Sequence, residues 1–200
     1  MKTADLILNL VIAFVTPFFL IRFHLREGRK EPGKTREAMR FYTCQSNLLC
    51  SVAALLYALA SLAGPAPDWA WIVKYIGTAA VTVTMLTVFL FLAPSIGKDW
   101  VKYLLTGSDI FMHLLTPLLA LFTFCVFERQ GMTFCESLWG LLPVLLYGPL
   151  YLYKILFAPP EKRWDDFYGF NKQGKWPVAF AAMVAGTFAI CMGIRALQNL

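Results

Sequence analysis

Charged residues are scarce in this chain. Lys, Arg, Asp and Glu make up 15% of its 200 residues, whereas hydrophobic residues make up 58%. An ordinary soluble domain carries about 25% charged residues. The apolar residues of this chain also occur in long runs rather than in the narrow stripes of a surface helix. This composition excludes an ordinary soluble domain and predicts an integral membrane protein.

Side chains that bind metals and motifs that bind phosphates are also few. The chain has two histidines, His24 and His113, so a three-histidine zinc site cannot form. Its five cysteines lack CxxC spacing, which argues against a metal cluster. No glycine-rich phosphate loop, Gly-x-Ser-x-Gly elbow or His-Glu-x-x-His motif is present. We therefore expect no metal and no cofactor. Cys125 and Cys135 flank a short polar loop, and the sequence leaves open whether they form a disulfide.

Six segments of the chain are long and apolar enough to be membrane helices, which need about 20 residues. The first contains Asp5 and lacks a small-residue cleavage site, so it is predicted to be a retained helix rather than a signal peptide. The connections are short and show no internal repeat. The predicted fold is all-α: one domain, residues 1–200, forming an integral membrane bundle of six transmembrane helices. The segments are residues 5–21, 41–63, 70–93, 109–127, 134–157 and 176–194.

The basic residues are distributed unequally between the two sides of this predicted bundle. Fourteen of the 18 Lys and Arg residues lie in or beside the connections after the first, third and fifth helices. Basic loops stay in the cytosol, so these connections are predicted to be cytosolic and both termini non-cytosolic, in the cell membrane if the source is prokaryotic. The net charge of +6 follows from this bias and is not a nucleic-acid signal. The fourteen are Arg22, Arg26, Arg29, Lys30, Lys34, Arg36, Arg40, Lys98, Lys102, Lys154, Lys162, Arg163, Lys172 and Lys175; the other four are Lys2, Lys74, Arg129 and Arg195.

The second predicted helix begins with an unusual number of polar residues, in the stretch RFYTCQSNLLC (residues 40–50). Thr43, Ser46, Asn47 and Cys50 follow helical spacing and therefore share one face. A polar face on a membrane helix must point into the protein or toward water. One interpretation is that these side chains bond neighbouring helices together, as small polar residues often do. The other is that they form a functional site.

The fourth predicted helix carries an ionisable pair, in the stretch SDIFMHLLTPLLALF (residues 108–122). Asp109 and His113 are four residues apart and share a face, so the carboxylate could orient the imidazole as an acid does in hydrolytic triads. Pro117 cannot donate to the carbonyl of His113, which predicts a kink and a free polar group. Both helices start at the cytosolic side, with His113 about 6 Å deep and Thr43 about 3 Å deep. The two side chains can therefore meet, although a purely structural Asp–His pair is an alternative.

This pairing resembles a known family. The chain resembles the androgen-induced-protein family of membrane threonine hydrolases. The resemblance lies in a threonine just inside the second helix, in FYTCQSNLL, and a histidine inside the fourth, in HLLTPLLALF. The resemblance implies hydrolysis of fatty acid esters of hydroxy fatty acids or similar lipid esters. It places the nucleophile on Thr43 and the histidine on His113. The lipid ester would enter from the bilayer.

The chemistry expected of such a site can be assigned to particular groups. His113 is the base placed to take the proton of the threonine hydroxyl. The developing oxyanion needs donors, for which Asn47, Gln45 and a backbone N–H at the start of the second helix are candidates, with Ser46 beside them. His24 is an alternative base, although its position at a helix end favours an interfacial anchor.

Three other interpretations stay open. The connection at residues 159–170 either caps the site, with Asp165 or Asp166 contributing, or is a solvated loop. The protein as a whole is alternatively a small proton-coupled transporter that uses Asp109 and His113, although the sequence lacks an inverted repeat and a second set of intramembrane charges. The third interpretation is a non-catalytic membrane scaffold, in which all the polar faces bond helices together.

Overall fold

The computed structural model describes residues 2–25, 31 and 33–200, and within these ranges it contains helices and no strands. The predicted all-α class is confirmed. Three of the basic residues used for the topology, Arg26, Arg29 and Lys30, lie outside the described residues. The helices are α1 Lys2–Phe23, α2 Lys34–Ala38, α3 Tyr42–Ser61, α4 Asp68–Leu92, α5 Ala93–Ile96, α6 Trp100–Leu104, α7 Phe111–Phe127, α8 Phe134–Phe157 and α9 Trp176–Gln198.

Five of the described helices, α1, α3, α4, α8 and α9, are long and apolar enough to cross a membrane. Their bounds lie within about four residues of the predicted segments, because long apolar runs define membrane helices well. The remaining predicted segment corresponds to α7, which is apolar but 17 residues long. By length and composition, the structure therefore supports five spanning helices and one shorter apolar helix.

Helix α7 is irregular around its proline. Its first turn, Phe111–Leu115, is a π turn in which the N–H of Thr116 bonds to the carbonyl of Phe111. Pro117 follows directly and has no N–H to offer the preceding turn. The sequence predicted a kink here because Pro117 lacks an N–H donor. The structure accommodates the missing donor with a wide π turn instead. Because π turns in α-helices are often found at functional sites, the position of His113 within this one is notable.

Small residues let α3 and α4 pack closely along their length. A methyl group added at Gly77 of α4 would lie 2.9 Å from the Cα of Cys50 in α3. The neighbouring Ala53, Ala54 and Ala80 are fully buried in the same interface. Helices in membranes associate through such close backbone contact. This pair forms the centre of the bundle, and α1, α7, α8 and α9 each contact one or both of its helices.

The hydrogen bonds between helices define two ends of the bundle. At one end, the terminal end, Asn9 of α1 donates to Glu128 Oε1 over 2.8 Å, and Gln198 of α9 donates to the carbonyl of Phe124. At the opposite end, the loop end, Asn47 of α3 donates to the carbonyl of Met112 over 3.0 Å. Helix α7 therefore runs from the loop end to the terminal end alongside the longer helices. The first and last described helices place residues 9 and 198 at the same end.

Candidate functional site

Thr43 lies in the first turn of α3 and lines a cavity at the loop end of the bundle. The cavity volume is about 40 Å³, which is room for a few water molecules. Thr84 and Thr87 of α4 add two further aliphatic hydroxyl groups. The remaining wall is mainly aliphatic and aromatic, with Val83, Val88, Leu92, Val144, Tyr147, Tyr151, Tyr168, Phe170 and Met183 among its residues.

The connection after α8 covers this cavity. Residues 164–170, named here the cap segment, pack their aromatic rings on Tyr151 and Tyr147 of α8. The phenol oxygen of Tyr168 accepts the backbone N–H of Tyr42 over 2.9 Å, at the open N-terminus of α3. Tyr147 donates its hydroxyl to the carbonyl of Arg40 over 2.7 Å. The Tyr168 bond holds the cap segment against the first turn of the helix that carries Thr43, and the Tyr147 bond holds α8 beside the residues that precede that helix.

A carboxylate organises the cap segment from inside. Asp166 accepts the hydroxyl of Tyr151 over 2.8 Å and also the backbone N–H groups of Phe170 and Asn171, each over 2.8 Å. Its neighbour Asp165 is exposed. The structure favours the capping interpretation of this connection over a solvated loop, because its four aromatic rings, at Trp164, Phe167, Tyr168 and Phe170, are partly buried against α8. Asp166 fixes the fold of the segment and does not line the cavity.

The polar face of α3 joins three helices. Ser46 contacts Thr84 Oγ1 of α4 over 2.7 Å, and Asn47 donates to the carbonyls of Thr43 and Met112. Gln45 donates to the carbonyl of Met39 over 2.9 Å. These three side chains bond to neighbouring backbone and side-chain groups, as the interhelical interpretation predicts. Asn47 Oδ1 is nevertheless buried without a hydrogen-bond partner among the described residues.

His113 and Asp109 lie across from this face, near the start of α7. Their side chains are close enough to interact electrostatically. The Asp109 carboxylate is also close enough to interact with the Cys44 thiol of α3. The Asn47 bond to Met112 brings the backbone next to His113 against α3. Thr43 lines the cavity, whereas His113 does not. The structure thus brings together the two helices that carry the predicted pair, without placing the imidazole in the cavity.

Tyr168 is a candidate functional residue that the sequence analysis did not identify. It lines the cavity with Thr43. Its oxygen accepts a hydrogen bond from the backbone N–H of Tyr42, and a backbone N–H at this position was one of the donors predicted for the oxyanion. Burial raises the pKa of Tyr168 to about 12, so its phenol keeps its proton at neutral pH and can donate it in a hydrogen bond. The density of aromatic residues at 164–170 was the available signal.

The alternative base, His24, lies apart from these groups. Its Nδ1 contacts the hydroxyl of Thr35 over 2.9 Å in an exposed position. His24 is not among the residues that line the cavity. This contact favours the anchoring role over the catalytic one.

A second polar centre lies near the terminal end. Lys74 of α4 and Glu128 are both fully buried, with Lys74 Nζ 3.3 Å from Glu128 Oε1. Lys74 also donates to Asn9 Oδ1 and to the hydroxyl of Thr123, while Trp71 donates to the carbonyl of Glu128. The expectation that the chain lacks a second set of buried charges is therefore wrong. The sequence signal for this pair was Lys74, which lies within an apolar run. A charged residue in such a run is a candidate functional residue.

The described residues contain no group of three or more His, Cys, Asp and Glu side chains that could hold a metal ion. All five cysteines are free thiols, with Cys125 buried and Cys135 exposed. The two cysteines that flank the polar loop are therefore unpaired in the structure.

Comparison of the chain with protein-family models, with curated proteins and with solved structures finds no match.

Proposed function

We propose that the protein is an intramembrane hydrolase of lipid esters, related to the androgen-induced-protein family, in which Thr43 is the nucleophile and His113 the base. One observation carries the proposal: Thr43 lies at the open N-terminus of a helix, in a mainly apolar cavity under an aromatic cap. A long-chain ester needs an apolar cavity with a hydroxyl nucleophile and nearby donors. The bond from Asn47 to Met112 supports the pairing, because it holds the backbone beside His113 against α3.

The proposed reaction has two steps. His113 takes the proton from the Thr43 hydroxyl as its oxygen attacks the ester carbonyl carbon, and the tetrahedral intermediate expels the alcohol, which receives that proton. Water then attacks the acyl-threonine while the same imidazole takes its proton, and the imidazolium gives that proton to the Thr43 oxygen as the fatty acid leaves. Asp109 stabilises the imidazolium between these transfers. Hydrogen bonds between catalytic groups are often long in free enzymes, so substrate binding would bring His113 and Thr43 into contact.

The oxyanion would be stabilised at the N-terminus of α3. Unpaired amides and partial positive charge favour an anion there. The Tyr168 hydroxyl lies at this position and keeps its proton, so it can donate to the oxyanion while the Tyr42 amide polarises it. Asn47 and Gln45, the donors considered from sequence, already donate to backbone carbonyls.

The cavity has to widen before a lipid ester fits. Its volume of about 40 Å³ is far below the roughly 300 Å³ at the lower end of ligand pockets. The cap segment is the part expected to move, because the hydrogen bond that joins it to α3 is the one between the Tyr168 hydroxyl and the Tyr42 backbone N–H. Opening between the cap segment and α4 would let the alkyl chains enter from the lipid.

Removal of the Tyr168 hydroxyl is expected to slow ester hydrolysis. Tyr168→Phe keeps the ring and should lower kcat by about 10²- to 10³-fold, the usual effect of losing one oxyanion donor, with little change in KM. The measurement is release of free fatty acid from a synthetic branched lipid ester by the purified protein. Tyr42→Phe is the matched control, because the Tyr42 hydroxyl is buried near the same cavity without a hydrogen-bond partner among the described residues. A folded Tyr168→Phe variant with the native kcat would contradict the role of the phenol.

We propose further that α7 crosses the membrane as the sixth helix, with the loop end cytosolic. The opposite ends of α7 lie at the two ends of the bundle, and residues 9 and 198 lie together. In a Cys135→Ser background, a cysteine at Gln130 and a reporter after Leu200 should be accessible from the non-cytosolic side, and a cysteine at Gln173 from the cytosol. Five crossings would place residues 2 and 200 on opposite sides and contradict the proposal.

A proton-coupled carrier is the second candidate function, and the buried Lys74–Glu128 pair is the observation that favours it. Buried charges in membrane helices commonly mark proton or ion pathways. The ester assay separates the two candidates, since a carrier releases no fatty acid.

A further inference from the structure

A second cavity lies at the terminal end, away from Thr43. It measures about 450 Å³ and is lined by Lys2, Asp5, Asn9, Tyr57, Ser61 and Phe127 among others. Its size leaves room for many water molecules, and its lining includes carboxyl, amide and hydroxyl groups that water can solvate. The cavity ends on the face of α1 that carries Asp5 and Asn9, one turn apart.

Two carboxyl groups meet at this face. The side-chain nitrogen of Asn9 contacts Asp5 Oδ1 over 2.9 Å and Glu128 Oε1 over 2.8 Å, so the two carboxyl groups are neighbours. Asp5 is half-buried at the cavity, whereas Glu128 is 2% exposed. Glu128 Oε2 is buried without a hydrogen-bond partner among the described residues. A buried carboxylate oxygen with no donor is costly, and the Asp5 carboxyl, bound to the same Asn9 nitrogen as Glu128, is a titratable group that can supply one.

The charges at this centre do not balance when both carboxyl groups are ionised. Lys74 has three N–H donors, and the structure gives them three partners: Asn9, Thr123 and Glu128. Among the buried groups one lysine compensates one carboxylate, which leaves the second as an excess negative charge; Lys2 and Arg129 are exposed to solvent. Two neighbouring carboxylates away from bulk water do not both ionise readily, since each disfavours the charge of the other. One added proton makes the centre neutral and supplies the missing donor to Glu128 Oε2.

We propose that Asp5 and Glu128 form a proton-binding site that exchanges with the aqueous phase through the terminal-end cavity. The Asp5 carboxyl carries the proton and donates it toward Glu128 Oε2, while Lys74 Nζ contacts Glu128 Oε1. Loss of the proton leaves two adjacent carboxylates and weakens the contact between α1 and the end of α7. The ligand is a proton on the side opposite Thr43, and the site is independent of the proposed hydrolase activity. The titratable groups around it are Lys2, Cys50, Tyr57, Lys74, Cys125 and Arg129.

The sign of the pH effect follows from proton counts. In the unfolded chain both carboxyl groups are ionised at neutral pH, whereas the folded protein holds one proton between them. The folded state therefore binds more protons, and stability must fall as pH rises until the shared proton is released. One extra bound proton corresponds to a fall in the unfolding midpoint of about 3–5 °C per pH unit for a chain of this size.

The test combines infrared difference spectroscopy with thermal unfolding of the full-length protein in detergent. The native protein should show a protonated-carboxyl band that disappears on alkalinisation, and Asp5→Asn and Glu128→Gln should each lack that band. The unfolding midpoint of the native protein should fall with pH, and that of Asp5→Asn should be flatter. Asp68→Asn is the matched control, because Asp68 is an exposed acidic residue at the same end of the bundle and its loss should leave the band and the slope unchanged.

The result that overturns the proposal is a native protein with no carboxyl band between acidic and alkaline pH. A band that persists in both Asp5→Asn and Glu128→Gln would overturn it equally, since the proton would then lie elsewhere. The site would belong to a metal cation instead if the native protein lacked the protonated-carboxyl band and its unfolding midpoint rose with added Na⁺ at constant ionic strength. If either variant fails to fold, the band of the native protein and the other variant still decide.

Discussion

Thr43→Ala is expected to abolish most ester hydrolysis, with a loss of about 10³-fold or more in kcat. The hydroxyl oxygen is the attacking atom in the proposed reaction, and no other side chain replaces it at the N-terminus of α3. His113→Ala should lose a comparable amount, because the hydroxyl is a weak nucleophile without a base. The double variant should lose little more than either single variant, since groups that act as one unit are non-additive. The measurement is fatty acid release per folded molecule, with folding checked by monodisperse elution in detergent.

Three variants test whether this loss is chemical or structural. Thr43→Ser keeps the hydroxyl and should retain part of the activity, and Asp109→Asn should be intermediate because it removes the charge that stabilises an imidazolium. Ser46→Ala is the control on the same helix face. It removes the contact with Thr84 and should cost about 1 kcal/mol of stability, with native turnover per folded molecule. Thr43→Ala with near-native turnover would end the threonine-hydrolase interpretation.

Lys74→Met is expected to lower the free energy of unfolding by about 3–5 kcal/mol, the usual cost of breaking a buried ion pair from one side. The substitution leaves Glu128 buried without its cation and takes a donor from Asn9 and from Thr123. The measurement is the unfolding midpoint in detergent, with the native protein and the variant compared at the same pH.

The control for this prediction is a lysine outside the bundle. Lys172 is exposed in the connection before α9, so Lys172→Met should change stability by less than about 0.5 kcal/mol. The double variant Lys74→Met, Glu128→Gln should recover part of the loss, because it removes both charges together. Equal stability of Lys74→Met and Lys172→Met would show that the pair contributes nothing to the fold.

The sequence predicted those features that depend on runs and spacing along one helix. Long apolar segments located α1, α3, α4, α8 and α9, because a membrane helix must satisfy its backbone internally over about 20 residues. Helical periodicity placed Ser46 and Asn47 on one face of α3, where both form bonds to other helices. It also indicated irregular backbone near Pro117, although the form it takes is a π turn.

Contacts between distant segments could not be predicted from a single sequence. Asn9, Lys74 and Glu128 meet from three separate helices or their ends, and nothing in the local pattern of any one identifies the other two. Lys74 was assigned to the outer side by charge counting, whereas it lies buried inside the bundle. Tyr168 likewise caps a helix 126 residues before it in the chain, through a bond that depends on how the connection folds.

The most direct test of the central claim is to locate the residue that reacts. A serine- and threonine-directed fluorophosphonate is incubated with the purified protein, and the modified residue is identified by peptide mass spectrometry. The account predicts one adduct on Thr43 in the native protein, little label in His113→Ala, and none on the corresponding peptide of Thr43→Ala. A folded native protein that takes no label, or that is labelled equally in Thr43→Ala, would contradict it.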